Sequence, residues 1–368
     1  MKRRKREAFT LTGQPDVFDL ERRGQKLSEL GDPLEQLNQA IDWEQFRAIL
    51  TKSPHVARKS NAGRKPLDAV LMFKLVILQR LYQLSDDQAE YQVRDRLSFQ
   101  RFLGIEWQYG APDAKTLWAF KEQLRRHGQL EALWVRFEAH LAERGWAAQG
   151  GQIVDAVMVE VPRQRNGREE NAAIKAGAVP EDWPAQPKKL AQKDVEARWT
   201  KKRGQTYYGY KDHVPVDQAH KLIRAYTVTD AAVHDSQALD AVLDREATDR
   251  PVYADAAYRS EEREADLQQA GMDSQICERP YRDRPLTEAQ KQRNREKSQV
   301  RVRVEHVFGF MTMNRGGSYL RCIGLARAKL TIGLMNLTYN LARFAYLVRA
   351  AAKNAAADRR RRAAPAFS

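Results

Sequence analysis

Cysteine is scarce: the 368 residues hold two, Cys277 and Cys322. Neither lies in a cluster of His or Cys, which argues against a structural zinc site and a disulfide framework. Both read as small buried residues of a reducing cytoplasm. Long apolar runs are missing too. The most tempting one, Leu330 to Ala342, is bracketed by Lys329 and Arg343 and falls short of the roughly 20 apolar residues that span a bilayer. The basic opening Met1-Lys-Arg-Arg-Lys-Arg-Glu7 leads into no apolar segment, so it does not read as a secretory signal. A Ser, Tyr or Cys nucleophile motif is lacking as well. A soluble protein with no membrane partner is expected.

What the chain has in excess is positive charge. Its 63 Lys and Arg against 48 Asp and Glu give +15, with a pI near 9.7, and such a balance points to a polyanion. The hydrophobic share of 42% is ordinary for a globular protein, and 368 residues are enough for two or three modules.

Three acids stand out against this background. Asp155 interrupts an otherwise apolar run, residues 153 to 159, that reads as a strand covered on both faces. Asp255 closes the short strand begun by Pro251, and Ser260 then caps a helix with Glu261 and Glu262 in its first turn. Glu305 borders the apolar stripe Val300, Val304, Val307, Phe308 and Met311 of an amphipathic helix. Arg301, one turn earlier, is spaced to pair with it, and a solvated Arg–Glu pair is the plain alternative. Two strand acids and one helix acid form a donor set suited to two-metal phosphoryl transfer, in which two cations clamp the attacking and leaving oxygens. Hard cations such as Mg²⁺ prefer carboxylate oxygens.

These blocks resemble the DDE transposases of bacterial insertion sequences, of the IS-four/IS-five-like group. The resemblance is carried by Tyr207-Tyr-Gly-Tyr-Lys-Asp-His213, Val228-Thr-Asp-Ala-Ala-Val-His-Asp-Ser236 and Ala254-Asp-Ala-Ala-Tyr-Arg-Ser260. It continues with Arg303-Val-Glu-His-Val-Phe-Gly309 and Ile332-Gly-Leu-Met-Asn-Leu-Thr-Tyr-Asn340, and spans roughly residues 60 to 350. Val157 departs from the family, which often carries a hydroxyl residue there. The resemblance implies an α/β fold: an RNase H-like catalytic core, with a mixed five-stranded sheet flanked by helices, behind an N-terminal all-helical DNA-binding domain. It also implies two Mg²⁺ ions, with Mn²⁺ as a substitute, on Asp155, Asp255 and Glu305. The implied reaction cleaves the element's ends and joins the 3′ ends to target DNA. Partners are then double-stranded DNA, as terminal inverted repeats and target, and a second copy of the chain or more on that DNA. The implied location is the bacterial cytoplasm, at the nucleoid. An RNase H-like nuclease that does not join, and a domesticated DNA-binding protein, are the rival readings.

Along the chain, residues 1–60 read as a basic N-terminal segment with one short helix near Pro33 to Thr51. Residues 61–149 read as helices in a helix-turn-helix-like arrangement: a stripe of Leu67, Leu71, Leu75, Leu78 and Tyr82, a capping box at Ser85 to Gln88, a stop at Gly104, a start at Asp113. A plain helical bundle is the alternative. Gly150-Gly151 reads as a hinge into the catalytic domain, 150–350. That domain contains a polar excursion, 163–205, which reads as a DNA-facing loop. Strands are expected at Tyr207 to Val216, at Leu222 to Val228, and near Ser274 to Cys277. Residues 351–368 read as a basic disordered tail. Candidate DNA contacts are Arg64, Lys65, Trp199, Lys201, Lys202, Arg203, Tyr258, Arg259, Arg295, Lys297 and Arg301. Trp199 would stack on a base or else pin its own loop. His213, His234 and His306 are possible proton carriers or structural histidines.

Overall fold

Helices begin where short polar side chains can satisfy the free N–H groups of a first turn. In a computed structural model, which describes residues 18–52, 67–105, 110–202, 204–247, 249–281, 284–313 and 319–363, these caps are in place. Helix α1 (Asp19–Leu30) precedes α2 (Pro33–Ala40), a 3₁₀ turn (Trp43–Phe46) and α3 (Arg47–Thr51). Asp68 caps α4 (Ala69–Leu81), accepting from the N–H groups of Val70 and Leu71 at 2.9 Å. Ser85 opens α5 (Asp86–Asp95) with the expected reciprocal box: its Oγ accepts from Gln88 N–H at 3.1 Å, and Gln88 Oε1 accepts from Ser85 N–H at 3.3 Å. Helix α6 (Leu97–Leu103) ends at Gly104 with φ 70°. Asp113 caps α7 (Ala114–Arg126), and α8 (Gln129–Glu143) follows.

Beyond Gly151 the period changes from helix to strand. Strand β1 (Gln152–Glu160) is followed by α9 (Arg168–Lys175), α10 (Pro187–Leu190), β2 (Arg198–Lys202), β3 (Gln205–Asp217) and β4 (Thr227–Asp230). Then come α11 (Leu239–Val242), β5 (Pro251–Tyr253), α12 (Glu261–Gln269), β6 (Asp273–Ser274), α13 (Glu288–Met313) and α14 (Leu325–Ala363). β1 pairs antiparallel with β3 and parallel with β5, which pairs parallel with β6. The sheet is mixed, as an RNase H-like core requires.

It has six strands rather than five, because β3 is 13 residues long. One edge of β3 lies along β1; the other is shared in sequence by β2 at 205–209 and β4 at 210–213. The polar excursion is therefore partly sheet. Its Trp183 is fully buried, donates to Glu170 at 2.9 Å, and lies beneath the Lys189 and Lys193 ammonium groups. Gly209, with φ 150°, allows the crossing: a Cβ there would collide with the Val159 carbonyl. Gly151 is no hinge. Its φ is 99°, and a Cβ would stand 2.6 Å from Pro251 O, so it serves the close approach of β1 and β5. The expected third strand is displaced: Ile223 makes one bridge to Val216, and the strand proper begins at Thr227.

Alternation along β1 sends Ile153 to one face and Val154 to the other. Ile153 joins an apolar core with Phe73, Phe102 and Leu133 of the helical region, Val214 and Val216 of β3, Val304 and Val307 of α13, and Leu337 of α14. Val154 packs with Leu239, Val252, Tyr258 and Leu267 opposite. One apolar core thus runs from the helical region onto the sheet. Helix α14 binds the two together: its Asn340 accepts from Ile223 N–H at 2.9 Å and donates to Ile223 O at 2.7 Å. Its 39 residues run to Ala363, so the part of the expected disordered tail that is described, 351–363, is helical, and 364–368 lie outside the described residues. Alanine and arginine propagate a helix that is already nucleated at little cost. Among the described residues no helix is long and apolar enough to cross a membrane.

Buried acids mark two stability tests. Asp194 accepts from Tyr210 Oη at 2.8 and 2.9 Å, and from the N–H groups of Glu196, Ala197 and Gly324 at 3.0 Å, tying the excursion to the start of α14. Asp194→Ala leaves these donors unanswered and should cost about 3 kcal/mol in urea unfolding. Among the described residues Asp212 accepts from Asn336 Nδ2, at 3.2 Å, and burial raises its carboxyl from 3.8 to about 7. The folded protein then keeps a proton that the unfolded chain has lost, so stability falls as pH rises across that interval. Calorimetry should show Asp212→Asn melting several degrees above wild type at pH 8, with a smaller gain at pH 5.

Candidate active site

Asp155 sits in the middle of β1, opposite Val214, on the face that Ile153 shares with α13. Asp255 follows β5 and begins a short 3₁₀ turn, Ala256–Tyr258. The parallel pairing of β1 and β5 brings both acids to one end of the sheet. Arg301 on α13 meets them there. One of its nitrogens, Nη2, stands 3.6 Å from Asp155 Oδ2 and 3.8 Å from Asp255 Oδ2. The Arg301 and Asp155 side chains are 18% and 23% exposed, and that of Asp255 is 52% exposed. The spacing on α13 put Glu305 within reach of Arg301, and a solvated pair between them was the plain alternative. Instead the guanidinium turns inward to the two aspartates, where two carboxylates outbid one.

Burial pushes the Asp155 carboxyl up. A bond from Ala156 N–H to Asp155 Oδ1, 2.8 Å long, and the charge of Arg301 pull it back only in part. Burial likewise raises the Tyr258 phenol, and Asp155, Asp235 and Asp255 push the same way. The Tyr258 hydroxyl is buried and has no partner among the described residues. Sequence reasoning missed a neighbouring ion pair, Lys211 with Asp235 at 2.8 Å. Both residues lie in the quoted motifs, but nothing local in the chain signals that they meet.

Glu305 stands one helical turn beyond Arg301 and is exposed. Among the described residues no three His, Cys, Asp or Glu side chains stand close enough to hold a metal. The two aspartates do fit a hard cation: they offer carboxylate oxygens, one is half-desolvated, and both already face a single positive group. A cavity of about 610 Å³ lined by Leu130, Trp134 and Tyr226 lies elsewhere and includes none of the three acids.

Residues 146–341, just over half of the chain, match the family model described as a transposase DDE domain. This chain belongs to the DDE transposase family. Residues 21–123 match a second model, a transposase domain (DUF772), so the helical region is part of a transposase too. No solved structure matches the chain. A transposase acts on DNA, and DNA is the partner that the basic surface suits.

The candidate DNA contacts of this transposase scatter. Trp199 is 44% exposed on β2, its ring 4.8 Å from that of Tyr208 and beneath the Arg163 guanidinium. Lys201, Lys202 and Arg295 are exposed, and Lys202 Nζ reaches within 3.9 Å of Asp235. Arg259 pairs with Glu264 at 3.4 Å, and Lys297 donates to Ile276 O at 3.0 Å. Tyr258, expected on the DNA face, is 2% exposed and buried against the sheet. Arg64, Lys65 and Arg203 lie outside the described residues. Of the histidines, His234 bonds Ser236 Oγ through Nδ1 at 2.8 Å, and His306 is exposed. His213 is buried, faces away from Asp155, and bonds Thr229 Oγ1 at 2.9 Å. Burial pushes its imidazole down to about 4. An NMR titration should find His213 neutral from pH 5 to 8; protonation near pH 6.5 would show that it is exposed to the solvent of the active site.

Proposed function

We propose that the chain binds the terminal inverted repeats of its own insertion sequence, cuts the DNA at the element's ends, and joins the 3′ ends to target DNA by in-line phosphoryl transfer. The observation that carries this reading is the meeting of Asp155 and Asp255, from separate strands, at one positive group. Two divalent cations, Mg²⁺ or in its place Mn²⁺, held by Asp155, Asp255 and Glu305 would supply charge neutralisation and Lewis acidity at the phosphorus. Asp155 is the rigid member of the set, fixed by the central strand. Asp255, at a strand end and half exposed, faces the side from which DNA arrives. Glu305, exposed one turn beyond Arg301 on α13, would complete the set from that helix.

Donor DNA is held by Trp199, Lys201 and Lys202 on β2, by Arg259, and by Arg295 and Lys297 on α13, with Trp199 offering a half-open ring for stacking. The helical region reads the inverted repeats. Holding two ends at once requires at least two copies of the chain on DNA, and the site of action is the cytoplasm, at the nucleoid. Phosphate contacts dominate such binding, so affinity for the ends should fall steeply between 50 and 200 mM salt.

The test is a strand-transfer assay on the element's own ends with Mg²⁺. Wild type should give joined products. Asp155→Asn, Asp255→Asn and Glu305→Gln should each lose at least about a hundredfold, more than the loss typical of an outer-shell partner. Cleavage without joining would instead identify an RNase H-like nuclease. End binding by all four proteins, with no cleavage by any, would leave a DNA-binding protein.

A further inference from the structure

Arg301 is held more loosely than Arg263 or Arg101, two other part-buried arginines of this chain. Arg263 Nη1 stands 2.8 Å from Asp240 Oδ2, and its Nη2 donates to Ser236 O at 2.9 Å. Arg101 donates to Gly24 O at 3.0 Å and to Ser28 Oγ at 2.8 Å. These are normal hydrogen bonds, and they fix the guanidinium fork. Arg301 has five N–H donors, yet its contacts with Asp155 and Asp255 are 3.6 and 3.8 Å long and use the same nitrogen. Nη1 finds only the Cys277 sulfur at 4.0 Å, and Nε is buried with no acceptor among the described residues. A largely enclosed guanidinium without good hydrogen bonds is held by the field of its neighbours, not by geometry. Two carboxylates against one guanidinium also leave a net negative charge.

We propose that Arg301 is the site's internal counter-ion: its guanidinium takes the place between Asp155 and Asp255 that divalent cations occupy, and leaves when they bind. The inference rests on the reading above, in which these aspartates hold the cations. Its physical basis is exclusion. Were Asp155 and Asp255 to hold a dication, their charge would be answered by it, and Arg301 would lose its attraction to them and face a like charge. Because no strong hydrogen bond has to break, the exchange is open to it. Arg301 is then a positioning residue. It keeps two like charges together, one in the middle of β1 and one just past the end of β5, before cations arrive, and it competes with those cations for the place.

Mn²⁺ binding to the full chain without DNA, followed by electron paramagnetic resonance, tests this. Arg301→Gln should bind Mn²⁺ about tenfold more tightly than wild type, while Arg301→Lys, which keeps the charge, should stay near wild type. Lys291→Gln removes a charge ten residues earlier on α13 and should change little. In EDTA, Arg301→Gln should melt below wild type, and Mn²⁺ should close that gap. Equal or weaker Mn²⁺ binding by Arg301→Gln, or the same gain in Lys291→Gln, overturns the proposal and leaves the metal reading standing. No Mn²⁺ binding by wild type or by Arg301→Gln removes the metal reading and this inference with it. Should Arg301→Gln fail to fold, wild type answers alone. The Arg301 Nε–H signal should exchange slowly in EDTA and fast with Mg²⁺, and a signal unmoved by Mg²⁺ refutes the exchange.

Discussion

A carboxylate taken out of water has to be answered by protons or positive charge, and around its central sheet this chain buries Asp194, Asp212 and Asp217 and part-buries Asp155. Asp194 is answered by a tyrosine hydroxyl and three backbone N–H groups. Asp217 is answered by the N–H groups of Gln149 and His220, each at 2.6 Å. Asp212 keeps one amide partner and is pushed toward its neutral form. Asp155 has one N–H from its own strand and a guanidinium at a distance. The first two are closed networks that hold loops to strands. The last is an open account in electrostatic terms, and it lies where the catalytic reading needs an unsatisfied acid.

That reading depends on how the sheet is built. The parallel pairing of β1 with β5 puts two acids, 100 residues apart in the chain, at one end of the sheet. Long β3 frees β1 to be central by taking β2 and β4 along its far edge. Helix α13 lies across the result because Val304, Val307 and Met311 are buried in the core below it. Arg301 reaches the aspartates only because that apolar stripe sets the roll of the helix. The same core continues into the helical region, so the segment proposed to read DNA and the segment proposed to cut it share one apolar core with α14. The Ile223–Asn340 pair and the bond from Tyr339 Oη to Lys221 O, 2.6 Å long, make that relation polar as well as apolar.

Local signals in the sequence held up where the physics is local. The capping box at Ser85, the stop at Gly104 and the starts at Asp113 and Ser260 need only neighbours within four residues, and each is in place. The apolar run around Asp155 made a covered central strand. Signals that depend on distant partners did not carry. Helix spacing offered Glu305 to Arg301, but two aspartates from the sheet were the stronger attraction. Arg198 to Lys202, read as part of a DNA-facing loop, becomes a strand because β3 extends past β1 and offers it an edge. Tyr258 looks like a surface aromatic beside a motif acid, and is instead drawn into the apolar layer under β5.

The order of the three acids, the basic balance and the family are properties of the sequence alone, since they need no contact between distant residues. The secondary structure around the acids follows from period and capping. Which groups meet is another matter. That Asp155 and Asp255 share Arg301, that Glu305 is left exposed, and that one apolar core joins helices to sheet were decided only by the tertiary structure. Electrostatic attraction and apolar burial act between surfaces brought together by folding, and no spacing along the chain encodes which of several possible partners lies nearest.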